Sequence, residues 1–443
     1  STGISNLGDE AVTLSDTTLT VSVLNTLDGN TSGTVNASNI TTLTGAAADL
    51  NTAYDSSGIS NLGNEAVTLS DTSLAVAVLN TLDGHTSGTV NANTVSTLTG
   101  AAADLNTAYD SAGISNLGNE AVTLSDTSLA VAVLNTLDGH TSGTVNANSV
   151  TTLTGAAADL NTAFDSAGIS NLGNEAVTLS DTTLAVAVLN TLDGHTSGAI
   201  NANSVTTLTG AAADLNTAYA SGGISNLGDE AVTLSDTTLA ASVLNTLDDN
   251  TSGTVNANSV TTLTGSAADL ITAYASGGIS NLGNEAVSVS SGTTSTSQAN
   301  TLAAATSGVV TATVSDGDLS TLAGLTETGN AYTITITDAS VDAAALNTLD
   351  GKTTVAINAS NITTLTGAAA DLNTAYDSAG ISNLGDEAVT LSDTTLAASV
   401  LNTLDGNTSG TVNASNITTL SGSASDLITA YASGGISNLG DEA

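Results

Sequence analysis

The chain has no cysteine, proline, methionine or tryptophan, and each absence narrows what it can be. Without cysteine there is no disulfide framework and no thiolate chemistry. Lys352 is the single Lys or Arg, set against 42 acidic residues for a formal charge of −41. Proteins that bind nucleic acid neutralise phosphates with Lys and Arg, so nucleic acid is excluded as a partner. Anionic lipid headgroups are disfavoured on the same ground. No segment approaches the roughly 18 consecutive apolar residues of a membrane span, and the first residues, STGISNLGDE, show no basic region followed by an apolar run. Aromatic residues make up only 2% of the chain, so any core must be thin and filled by Ala, Val, Leu and Ile.

What the chain has in abundance is repetition. The motif GISNLG places its first glycine at Gly3, Gly58, Gly113, Gly168, Gly223, Gly278, Gly380 and Gly435. The step is 55 residues five times, then 102, then 55. Recurrence at a fixed period marks a solenoid or array, in which each unit buries its apolar face against its neighbours. Residues 1–443 therefore read as one continuous solenoid of 55-residue double coils, with an irregular four-coil stretch at 279–380. Neither end carries the atypical polar cap that closes such a stack, so a segment of a longer chain is expected.

Each repeat divides into two related coils. Strand-like alternation runs into a small polar residue at Asp16, Asn39, Asp71 and Thr94, and onward to Asn416, sixteen times in all. Val12 and Leu14 face one way while Thr13 and Ser15 face the other. Helical spacing follows at Leu19, Val23 and Leu27, with Gly29 placed as a helix stop. In the other half it falls at Leu43, Ala47, Leu50 and Tyr54, in an Ala-rich stretch that favours helix. Strands joined by such crossovers must be parallel. The pattern predicts an α/β solenoid with one parallel strand and a short helix per 22–32-residue coil, about sixteen coils, the strands forming one long ribbon. An all-β solenoid, a parallel β-helix, is the alternative.

The coil plan resembles that of leucine-rich-repeat solenoids, with a strand on one face, a helix on the other and a polar residue after the strand. The motifs LNTLDG, LTGAAADLNTAY and GISNLG resemble the acidic, Thr- and Ala-rich repeat tracts of very large surface or secreted proteins of bacteria, marine cyanobacteria in particular. That resemblance implies an extracellular or cell-surface setting and no particular activity.

Candidate chemistry is sparse. Asp28-Gly29-Asn30-Thr31-Ser32-Gly33 matches the first half of an EF-hand-type calcium loop, with oxygen ligands at positions 1, 3 and 5 and Gly at 6. The candidate metal ligands are Asp28, Asn30 and Ser32, then Asp248, Asn250 and Ser252, then Asp405, Asn407 and Ser409, and the ion they suit is Ca2+. Position 12 is Asn39 rather than a bidentate Glu, and position 3 becomes His85, His140, His195 or Lys352 in other copies. The alternative is a plain helix-ending turn. Asp9, Glu10 and Glu65 in the insert, with the strand-end Asp column, form a second and looser candidate for divalent ions. His85, His140 and His195 stand two coils apart, too far to share an ion, and read as exposed loop residues. Tyr54 and its equivalents form an aromatic column, which packs the helix end or presents a carbohydrate strip. Sequons at Asn30, Asn36, Asn39, Asn250, Asn358, Asn361, Asn407, Asn413 and Asn416 matter only in a glycosylating host.

The sequence carries no Ser, His and Asp arrangement that suggests a triad, so no enzyme is expected. The expected role is a structural extracellular or cell-surface repeat: filament, stalk or coat. Its expected partner is more of the same chain, and the alternative is an adhesin that binds a glycan or a partner protein.

Overall fold

The computed structural model describes residues 7–440; the repeat mark at Gly3 and the closing Asp441 to Ala443 lie outside the described residues. Contacts group the chain into two compact units, residues 1–208 with 217–227, and residues 209–216 with 228–443. Both are built from the same coil. The described residues carry sixteen α-helices separated by parallel strands, so the fold is an α/β solenoid of about sixteen coils and not an all-β one.

In the first unit the order opens with β1 (Val12–Thr13), β2 (Thr18–Thr20), α1 (Val21–Asn30), β3 (Val35–Asn36), β4 (Thr42–Gly45), α2 (Ala47–Asp55) and β5 (Ile59–Ser60). It continues with β6 (Ala66–Leu69), β7 (Ser73–Ala75), α3 (Val76–His85), β8 (Val90–Asn91), β9 (Thr97–Gly100), α4 (Ala102–Asp110) and β10 (Ile114–Ser115). Thr and Leu alternate in the strands, so Leu43 is fully buried while Thr42 and Thr44 lie partly exposed. The helices bury residues three apart, such as Ala47, Leu50 and Ala53 in α2, and Val76, Leu79 and Leu82 in α3. A fully buried Leu contributes about 1.5–3 kcal/mol, and the column of such leucines supplies the thin core.

The strands do not form one ribbon of sixteen. They form staggered ladders of up to five: Leu19 pairs with Leu43, Leu43 with Val67, Val67 with Val90, and Val90 with Ile114. The partners lie 24, 24, 23 and 24 residues apart, whereas the helices start at 21, 47, 76, 102 and 131. A ladder therefore falls behind the helices as it climbs. β2 touches the start of α1, β4 stops one residue short of α2, and β6 stops six residues short of α3. By β10 the ladder stands just past the end of α4, and a new ladder has opened at β7. The insert ISNLGNE causes this drift. Its Ile59 and Ser60 pair with Val35 and Asn36 as a strand of their own, so the insert belongs to the sheet and is no accessory.

The second unit repeats the scheme, with Val341, Leu365, Val389, Val412 and Ile436 in one ladder. Its irregular stretch keeps the coil with a shortened helix, Leu319–Leu322, between strands Val310–Thr313 and Ala331–Thr333. Tyr332 is fully buried there; burial and then the charge of Glu327 push its phenol up to about 12.

Gly29 is not a helix stop. It lies inside the last turn of α1, and the chain leaves the helix at Thr31, whose backbone is extended at φ −129° and ψ 141°. The cause is tertiary. In the next copy Thr86 is buried, donates its hydroxyl to the Glu65 carbonyl at 2.7 Å and accepts from the Gly88 amide at 3.0 Å. Gly88 sits so near that carbonyl that a Cβ would overlap it.

Candidate functional site

The expected calcium loop begins with Asp28, and the structure places Asp28 in the last turn of α1 rather than in a loop. Its Oδ2 accepts the Ser56 hydroxyl at 2.6 Å, and Ser56 in turn accepts the Gly58 amide at 3.1 Å. Asp28 thus organises the turn that follows α2, and a Cβ at Gly58 would overlap its carboxylate. Asp248 and Asp405 do the same for Ser276 and Ser433, each at 2.6 Å. Asn30 ends α1 exposed, while Asn250 and Asn407 donate to Asn216 and Asn373 at 2.9 Å. Ser32 and Ser252 donate to the carbonyls of Gly8 and Gly228, and the Ser409 amide donates to the Gly385 carbonyl. In each set the aspartate accepts a serine hydroxyl from the turn after the following helix, while the bonds of Ser32, Asn250, Ser252 and Asn407 go to other partners. Among the described residues no group of three or more His, Asp or Glu side chains is arranged to hold a metal ion.

The strand-end Asp column has a different task. Asp71 Oδ2 accepts the amide of Ala47, the first residue of α2, at 2.8 Å. Asp126 does this for Ala102, Asp181 for Ala157 and Asp236 for Ala212, all at 2.8 Å. Asp393 does it for Ala369 at 2.7 Å. The helices of Ala47, Ala102, Ala157 and Ala369 have alanine at the N-cap and no cap of their own. A carboxylate 24 residues downstream supplies both the missing acceptor and a negative charge at the positive end of the helix dipole. The polar residues at the intervening rungs act on strands instead: Asn39, Thr94 and Ser149 donate to the carbonyls of Leu14, Leu69 and Leu124.

The insert acids split in the same way. Glu10, in the first copy, is exposed, and the Gly8 amide holds its carboxyl below the usual range. Glu65, Glu120, Glu285 and Glu387 are buried. Glu65 Oε2 gathers the Tyr54 hydroxyl at 3.1 Å and the amides of Gly63 at 2.8 Å and Asn64 at 3.1 Å. Burial, reinforced by the Glu65 charge, holds the Tyr54 phenol far above its ordinary range, and Tyr109 and Tyr274 follow suit with Glu120 and Glu285.

Tyr54, Tyr109 and Phe164 of the aromatic column are each covered by a histidine, and the histidines are not loop residues. His85 ends α3 with its side chain 24% exposed, stacked on Tyr54 at 5.5 Å between ring centres and 3.6 Å from the Asp55 carboxylate. His140 stacks on Tyr109 at 5.5 Å and His195 on Phe164 at 5.7 Å. Sequence reading missed the asparagines of the LNT motif. Asn25 donates to the Asp49 carbonyl at 2.9 Å and Asn51 to the Val78 carbonyl at 3.1 Å, each on the following helix. The available signal was their recurrence beside the core leucine in both halves of the repeat. Several sequon asparagines are engaged likewise; Asn361 and Asn416 donate to the carbonyls of Ile336 and Leu391.

No helix among the described residues is long and apolar enough to cross a membrane. No known protein family matches the chain, and no curated protein matches it.

Proposed function

We propose that this chain is a non-catalytic structural repeat of an extracellular or cell-surface protein, serving as a filament, stalk or coat. One observation carries the proposal: the polar residues of the recurring motifs are engaged between neighbouring coils. Asp28, Asn51, Glu65, Asp71 and Thr86 each bind a partner on another turn of the chain or on the adjoining insert. Side chains used in this way make a ladder that resists pulling, and they are not free to handle a substrate. The near-absence of Lys and Arg also denies trypsin-like proteases their cleavage sites, which suits an exposed setting, as does the resemblance of the motifs to bacterial surface tracts.

Single-molecule pulling of the intact chain tests the proposal. A stack whose stability lies in neighbour contacts yields stepwise, and a 55-residue double coil releases about 180–200 Å of chain at full extension. A featureless trace without resisting steps would remove the mechanical role. Saturable binding on a glycan array would move the assignment to an adhesin.

A further inference from the structure

The copies can be compared at one place, the last residue of the helix that follows each aromatic. His85, His140 and His195 lay an imidazole on Tyr54, Tyr109 and Phe164. Asn250 and Asn407 instead reach back to Asn216 and Asn373 on the preceding helix. Lys352, two residues beyond the end of the helix Ala343–Asp350, donates to the Thr326 carbonyl. The exception is the helix Thr296–Ala305, which ends in alanine.

The preceding helix, Ala267–Ala275, changes in concert: Ile271 stands where Asn51, Asn106 and Asn216 stand in other copies. Both polar fillers are gone, and a slot of about 180 Å³ remains, lined by Ile271, Tyr274, Ala275, Thr301, Leu302 and Ala305. Tyr274 keeps its anchor, its hydroxyl donating to Glu285 at 3.1 Å. Its ring is therefore held as in the copies where an imidazole covers it.

We infer that the slot between these two helices is a binding site for a small, uncharged aromatic molecule, which stacks on Tyr274 where His85 stacks on Tyr54. The volume suits one ring system, since an apolar cavity of about 150 Å³ holds benzene. Ile271 and Leu302 favour an apolar edge over a charged one, and an aromatic ring gains from stacking beyond the area it buries.

The test uses the full chain and indole as the probe, followed by calorimetry and by the NMR signals of Tyr274. Saturable binding at one site is expected. Ala305→His places an imidazole in the slot and weakens binding about tenfold or more. In the first unit, Asn51→Ile with His85→Ala removes the same two fillers beside Tyr54 and raises the stoichiometry to two, a gain that a folding defect does not imitate. Cyclohexanol, without a π face, binds more weakly than indole. Absence of saturable binding, indifference to Ala305→His, no second site in the double variant, or equal binding of cyclohexanol would each overturn the assignment.

Discussion

Replacing Asp126 with Ala removes the 2.8 Å bond to the Ala102 amide and leaves α4 with Ala101 at its N-cap and no side-chain acceptor. Loss of a cap costs about 0.5–2 kcal/mol, and the carboxylate's place at the positive end of the helix puts this one toward the upper half of that range. Stability in a solenoid is a sum of local and nearest-neighbour terms, so the loss concentrates at the junction of α4 with the coil that carries Asp126. Native-state hydrogen exchange reads it directly. Protection of the Ala102 amide falls by a factor of about 5–30 for 1–2 kcal/mol, while amides several coils away keep theirs. Asp126→Asn retains an oxygen acceptor without the charge and loses less, about 0.3–1 kcal/mol, the scale of a charge at a helix end. Equal effects of Ala and Asn, or unchanged protection at Ala102, would refute capping across coils.

Tyr109→Phe removes one donor from buried Glu120 and lowers stability by about 0.5–1.5 kcal/mol, measured by urea unfolding; the copy with Phe164 beside Glu175 argues for the lower end, and a loss above about 3 kcal/mol would contradict it. The Tyr332 phenol rises from an ordinary value of 10.0 to about 12. The neutral form is favoured in the folded state, so this contribution is complete below pH 10 and is lost as pH climbs through about 12; loss of stability ahead of tyrosinate absorbance below pH 10 would contradict it. Removing calcium with a chelator at fixed ionic strength leaves the melting temperature unchanged, because Asp28 is already engaged by Ser56; a saturable rise on calcium addition that vanishes in Asp28→Asn would show otherwise.

The recurrence of GISNLG, the Thr and Leu alternation of the strands and the spacing of the core leucines are local patterns, and they announce a coil of strand and helix on their own. Charge composition is equally direct, since no fold creates a basic face from one lysine. The site residues are another matter. Asp28 in a D-G-N-T-S-G run has the same letters whether it faces an ion or a serine one turn away, and the hydroxyl of Ser56 comes from 28 residues downstream. Gly29 looks like a stop because glycine commonly ends helices, yet the helix ends where Thr86 and its equivalents are captured by the neighbouring coil.

By itself, then, the sequence determined the repeat, the two kinds of secondary structure in it, the parallel sense of the strands and a surface with a single Lys or Arg. These follow from composition and from patterns within one coil. Only the tertiary structure decided the diagonal ladders, the capping of α2 by Asp71, the burial of Glu65 and the stacking of His85 on Tyr54. Each of these depends on how far the helix repeat and the strand register drift apart from coil to coil, and that offset exists only once the coils are stacked.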